Sequence, residues 1–210
     1  PDAFNIHMLS SDLENFIKTS NINIRSYNYS TKISTITSSK QDIDIIIYGA
    51  TGFTGQLCVK YFQSLNTDVN WAIAGRDQDK LQKVASDNSV DVEMLIADSD
   101  DEVALDILTS RAKVILSTTG PFHRYGSKLV ASCVKNSANY VDITGENFWV
   151  KGLIAKHHEE ASAKGIRIIP SCGYDSIPSD LGVFYSAKAL NKPIKRIESF
   201  HSWAGGASGG

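Results

Sequence analysis

One stretch constrains this chain more than any other. The apolar run Ile43-Asp44-Ile45-Ile46-Ile47-Tyr48 passes directly into Gly49-Ala50-Thr51-Gly52-Phe53-Thr54-Gly55, and an amphipathic segment follows. A buried strand, a GxxGxxG turn and a helix in immediate succession form an anion-binding device. Gly49 suits the backbone angles of a tight turn, and Gly52 lets the backbone approach a diphosphate with no Cβ in the way. Gly55 allows the helix to pack close to the strand. The free N–H groups of the first helical turn, from Phe53 and Thr54 onward, then face the anion together with the amide of Thr51. This turn is expected to hold a dinucleotide through its diphosphate.

From Ile43 onward, apolar strands alternate with helical patterns. The expected strands are 43–48, 71–74, 92–97, 113–117, 140–143 and 166–170, and the expected helices are 54–65, 79–87, 101–110, 126–136 and 148–164. A further helix opens at Ile177-Pro178-Ser179-Asp180. Ser99 with Glu102 reads as a capping box, and Gly165 as a C-cap glycine after Lys164. Repeated strand–helix–strand order implies a doubly wound α/β domain, a mostly parallel Rossmann sheet with helices on both faces. Residues 41–190 are assigned to it.

The end of the second strand chooses the cofactor. Dinucleotide sites that prefer NAD place an acidic residue there to accept from the ribose 2′-OH. This chain has Ala74-Gly75-Arg76-Asp77, about twenty residues past Gly55. Gly75 leaves room, and the Arg76 guanidinium can fork onto a 2′-phosphate. NADP is therefore expected, with NAD second; the alternative is that Arg76 is a solvated surface arginine. Asp77 comes one turn late and is read as a cap for the next helix or a brace for Arg76. Asp98, after the third strand, is assigned to the adenine amine or to a cap. The fourth strand ends in Ser117-Thr118-Thr119-Gly120-Pro121. Thr118, Gly120 and Pro121 are expected beside the nicotinamide ribose, because ligands bind at the carboxyl edge of such sheets.

Catalysis is less legible. No tyrosine has a lysine four residues on, so the Tyr-x-x-x-Lys pair of short-chain dehydrogenases is missing; Tyr125–Lys128 and Tyr185–Lys188 are one residue too close. Asp142, in Asp142-Ile143-Thr144-Gly145-Glu146, ends the fifth strand as a site residue or a cap. Tyr174 and Asp175 follow the sixth strand and are candidate proton relays, with His123 a third candidate. Cys172 reads as a buried thiol rather than a nucleophile, and His157 and His158 as part of a solvated helix face. No metal-ligand spacing is present, so no metal is expected.

Composition sets the remaining bounds. A net charge of −2 and a pI near 6.2 offer no basic surface for nucleic acid. The apolar runs are too short for a membrane span. Cys58, Cys133 and Cys172 are odd in number and widely separated, which points to a reducing compartment and hence the cytoplasm. Seventeen of the first forty residues are Ser, Thr or Asn, so residues 1–40 read as a disordered or loosely packed tail with one amphipathic stretch near 9–17. A transit peptide is the weaker alternative, given one arginine against Asp2, Asp12 and Glu14. The chain opens on Pro1 and closes on Ala204-Gly205-Gly206-Ala207-Ser208-Gly209-Gly210; these ends suggest a fragment.

Taken together, GATGFTG at 49–55, AGRDQDKL at 74–81, STTGPFHRYG at 117–126, YVDITGE at 140–146, PSCGYDSIPSDLG at 170–182 and FHSWAGGASGG at 200–210 resemble the saccharopine dehydrogenase-like oxidoreductases, relatives of the trans-acting enoyl reductases. The resemblance spans 42–210 and implies a longer protein with a second α+β domain, of which 191–210 is the truncated start and about 195–203 the first strand. It implies hydride transfer to or from a carbonyl, imine or enoyl small molecule, with lipid-related substrates in view. It also allows a homodimer, and a peripheral station at a lipid droplet or organelle membrane as an alternative to the cytoplasm. A dinucleotide-binding or lipid-droplet regulator without turnover is the competing function.

Overall fold

The computed structural model describes residues 41–190, 192–200 and 202. The tail reading for 1–40 and the glycine run at 204–210 lie outside the described residues. Six strands form one sheet: β1 (Ile43–Tyr48), β2 (Trp71–Gly75), β3 (Glu93–Ile96), β4 (Ala112–Ser117), β5 (Asn139–Asp142) and β6 (Ile168–Ile169). Their order is β3-β2-β1-β4-β5-β6 and every pairing is parallel. Seven helices connect and follow them: α1 (Phe53–Leu65), α2 (Gln78–Asp87), α3 (Glu102–Arg111), α4 (Phe122–Tyr125), α5 (Ser127–Asn136), α6 (Asn147–Lys164) and α7 (Ile177–Leu190).

The central position of β1 explains why it is apolar at every position but Asp44, at its amino end. Ile45 and Ile47 pack on one face with Val59 and Phe62 of α1 and Leu81 and Val84 of α2. Ile46 and Tyr48 pack on the other with Leu105 and Leu108 of α3 and Leu129, Val130 and Cys133 of α5. Successive strand residues point to opposite faces, so helices on both sides call for apolar residues on both faces of the strand. The chain winds outward from β1 to β3, crosses back, and continues from β4 to β6. That reversal leaves a switch point between β1 and β4, and the loops at their carboxyl ends flank it.

Three local expectations are corrected. α3 is capped not by Ser99 with Glu102 but by Asp101, whose carboxylate accepts from the amides of Val103 and Ala104 at 3.0 Å each. Several residues of the Ala97–Asp101 turn can cap, and the path leaving β3 decides which one does. β6 is two residues long rather than five, because only Ile168 and Ile169 find ladder partners, in Tyr140 and Val141. Residues 195–200 are irregular where a strand was expected; a strand needs a neighbour for its backbone groups, and none is present among the described residues. The short helix α4, which precedes α5, has no counterpart in the sequence reading. Gly165, by contrast, sits at φ 67° as the left-handed cap of α6.

At the amino edge of the sheet, Arg111 forks onto Asp42 through Nε and Nη2 and onto Glu93 through Nη1 and Nη2, at 2.6–3.1 Å. These bidentate contacts tie the start of β1 to β3 on the edge opposite the glycine turn.

Candidate dinucleotide site

The turn after β1 is built around backbone contacts that exclude side chains. Gly49 has φ +86°, and its amide donates to Ala74 O at 2.9 Å. Gly52 donates to Gly49 O at 3.0 Å and stands at the N-cap of α1, where no side chain caps the helix. A Cβ on Gly55 would lie 2.2 Å from Gly49 O and 2.7 Å from Ala50 Cα. A Cβ on Gly52 would meet only Gly49 O, at 3.4 Å. The third glycine is thus required by packing inside the turn, whereas the second keeps open the approach to an uncapped helix start. Thr51, Phe53 and Thr54 surround that approach, with Phe53 largely exposed.

At the end of β2, Arg76 is exposed and makes no ion pair or hydrogen bond among the described residues. Its neighbour is committed elsewhere. Asp77 caps α2, accepting from the Lys80 amide at 3.0 Å and pairing with Lys80 Nζ at 3.4 Å. Those contacts, the Lys80 amide first, hold its carboxyl below the usual range. Asp98 accepts from the Asp100 amide at 2.9 Å, so one carboxylate oxygen shapes the turn that leads into α3.

Across the switch point, the β4 loop lies on the glycine turn. The Thr118 hydroxyl reaches Tyr48 O at 3.2 Å and Gly49 O at 3.1 Å, and its amide donates to Tyr48 O at 2.9 Å. A Cβ on Gly49 would lie 2.3 Å from Thr119 Oγ1. Gly120 is exposed and precedes Pro121, the N-cap of α4, through a cis peptide bond.

Two acidic residues, one ending β5 and one following it, do different work. Asp142, 1% exposed, accepts from Tyr140 Oη, Thr144 N and Ser171 N, each at 2.9 Å, and its carbonyl takes the Cys172 amide at 2.7 Å. Burial pushes its carboxyl above the usual range despite these donors. Asp142 therefore knots the β5 and β6 loops together. Glu146, which sequence reading left without a role, accepts from the amides of Phe122 and His123 at 2.8 Å and from His123 Nδ1 at 2.6 Å. Burial opposes its ionisation, but the His123 and Phe122 donors outweigh burial and hold the carboxyl below its ordinary range. No local pattern announces this contact, since 23 residues separate the partners.

Of the remaining candidates, Tyr174 and Asp175 are exposed in the β6 loop, with the Asp175 carboxylate within 3.7 Å of where Cβ atoms on Gly145 and Gly173 would stand. The Cys172 thiol is half-buried rather than fully buried; burial still pushes it up to about 11, and its Sγ lies 3.3 Å from Ile169 O. His157 corrects the expectation of a solvated face: it is 8% exposed on the inner side of α6, whereas His158 is exposed. Among the described residues no group of His, Cys, Asp or Glu is placed to hold a metal ion, and no helix is long and apolar enough to cross a membrane.

The residues present fit a 2′-phosphorylated dinucleotide. A glycine cradle opens onto uncapped amides, and an unpaired guanidinium stands at the strand end that selects the ribose.

Comparison with known proteins points the same way. Residues 45–169 match the family described as the saccharopine dehydrogenase NADP binding domain. The chain is 40% identical over 148 residues to a trans-acting enoyl reductase of Mycobacterium leprae, covering 69% of this chain and 35% of that protein. It is 35% identical over 178 residues to the lipid droplet localized protein of Caenorhabditis elegans, covering 79% and 41%. It is 34% identical over 178 residues to the mouse saccharopine dehydrogenase-like oxidoreductase, covering 78% and 42%. The chain thus spans well under half the length of these relatives. Among solved structures, apo saccharopine dehydrogenase (L-Glu forming) from Saccharomyces cerevisiae superposes with a TM-score of 0.55 at 19% identity, over 71% of this chain and 31% of that one. At that identity the likeness bears on the fold alone.

Proposed function

Because the chain belongs to the family of saccharopine dehydrogenase NADP-binding domains, we propose that it is the cofactor-holding part of an NADP-dependent oxidoreductase acting on a carbonyl, imine or enoyl compound. The observation that carries this reading is an uncapped glycine turn at the end of β1 together with an exposed, unpaired Arg76 at the end of the neighbouring strand β2. The amides around Thr51, Gly52, Phe53, Thr54 and Gly55 would hold the diphosphate, and Arg76 the 2′-phosphate. Thr118, Gly120 and Pro121 would border the nicotinamide side, with Asp98 toward the adenine. The bound cofactor would supply or take up the hydride, and the residues named above would hold it.

The chain's own contribution to chemistry is to bind, orient and supply a proton. His123 is better equipped for the last task than Tyr174 or Asp175, because the Glu146 carboxylate fixes its Nδ1 and leaves Nε2 for the substrate. Reduction of a polarised double bond needs one hydride and one proton, and His123 Nε2 would deliver the proton. The lipid droplet localized relative supports a lipid-related substrate and a station at a droplet surface for the whole protein, with the cytoplasm as the alternative. Dimerisation is part of the same proposal for the whole protein.

Two measurements test this. Titration of NADPH and NADH against Arg76→Ala is expected to weaken NADPH by about 1–3 kcal/mol and NADH by much less, since a charge-assisted hydrogen bond is worth that much. Equal losses would remove Arg76 from the phosphate. In the full-length protein, NADPH oxidation assayed across enoyl, keto and imine compounds is expected to reveal turnover, and His123→Gln to slow it about a hundredfold. Binding of NADPH with no turnover on any class would favour a regulator.

A further inference from the structure

The β4 loop carries two adjacent threonines that behave differently. The Thr118 hydroxyl is satisfied by the carbonyls of Tyr48 and Gly49. The Thr119 hydroxyl is shut off from solvent and has no hydrogen-bond partner. Its amide makes only a long contact to Ser117 Oγ, at 3.5 Å. An unpaired hydroxyl out of water is unfavourable, and such groups are rare enough in native structures that each calls for a partner or a role. The position of this one is informative. It rests on Gly49, the first glycine of the turn, at the switch point between β1 and β4 and one residue before the exposed Gly120.

We propose that Thr119 is a cofactor-positioning residue whose hydroxyl pairs with the nicotinamide half of the dinucleotide, at that half's phosphate or ribose oxygens. The inference rests on the NADP-binding reading above and adds a residue to it. A threonine hydroxyl donates once and accepts twice, so it serves either oxygen type. A threonine side chain has three staggered χ1 positions, so its hydroxyl can change direction without backbone movement. Thr119 is in this way ready to exchange an unsatisfied state for a paired one when the nicotinamide half arrives. Thr118 keeps the loop clamped to the turn throughout, so the exchange needs no backbone movement.

The test uses this chain with NADPH and with 2′,5′-ADP, which carries the adenosine half and its 2′-phosphate but no nicotinamide. Thr119→Val keeps the shape and removes the hydroxyl. Its NADPH affinity is expected to fall about tenfold, the loss of one hydrogen bond to a charged or ribose oxygen. Its 2′,5′-ADP affinity is expected to stay at the parent value, and its unliganded melting temperature to hold or rise. Thr119→Ser is expected to bind NADPH within about threefold of the parent. Three results would overturn the proposal: parental NADPH affinity in Thr119→Val, an equal loss for 2′,5′-ADP, or a lowered unliganded melting temperature that betrays a partner already made within the protein. A parent chain that binds neither nucleotide would instead strike the underlying cofactor reading, and the proposal with it.

Discussion

Gly55→Ala is expected to lose about 2–3 kcal/mol of stability and to bind NADPH about a hundredfold more weakly. The added Cβ would stand 2.2 Å from Gly49 O, 2.7 Å from Ala50 Cα and 2.9 Å from Ala50 C. All three are backbone atoms of the turn itself, so no side chain can swing aside. Overpacking a rigid site of this kind destabilises by about 1–3 kcal/mol. Displacing the amides that meet the diphosphate removes two charge-assisted hydrogen bonds, together about 3 kcal/mol, which is the hundredfold. Gly52→Ala separates the two effects. Its Cβ meets only Gly49 O at 3.4 Å, so the chain is expected to melt within a degree or two of the parent while still binding poorly. Calorimetric melting with nucleotide titration on both variants decides the matter. A Gly52→Ala chain that binds NADPH like the parent would place the diphosphate elsewhere.

Asp142→Ala is expected to remove about 3–5 kcal/mol, measured by urea unfolding. Its carboxylate is buried and takes three donors, Tyr140 Oη, Thr144 N and Ser171 N. Truncation orphans all of them, and each unpaired buried group costs about 1–3 kcal/mol. Asp142→Asn distinguishes a hydrogen-bond role from a charge role. Its amide oxygen can accept from the two backbone donors while its NH₂ donates to the Tyr140 hydroxyl, which accepts as well as donates. Burial already disfavours the ionised carboxyl here, so the asparagine is expected within about 1 kcal/mol of the parent. An asparagine variant as damaged as the alanine variant would show that the charge itself is needed.

Both predictions turn on how far the site could be read in advance. β1 and its glycine turn were legible because their signals are local: a continuous apolar run, then three small residues at fixed spacing. The alternation of strands and helices likewise fixed the parallel, doubly wound sheet. What escaped was nonlocal. Glu146 holds Phe122 and His123 from 24 and 23 residues away, and the orphaned hydroxyl of Thr119 exists only because two loops meet over Gly49. His157 lies in the run His157-His158-Glu159-Glu160, whose composition suggests solvent, but it stands four residues after Leu153 and four before Ala161, so it shares their buried face of α6 while His158 is exposed. The cap of α3 failed for a different reason. Ser99, Asp98, Asp100 and Asp101 compete within four positions, and propensity ranks them too closely to choose.

The capping role of Asp77 bears on attempts to redesign coenzyme preference. A variant meant to favour the unphosphorylated nucleotide needs a carboxylate for the two ribose hydroxyls. The acid already beside Arg76 is spent on the first turn of α2. Removing the arginine would therefore discard one coenzyme without recruiting the other. A successful switch would have to install a fresh acceptor at the end of β2 and leave the existing helix start intact.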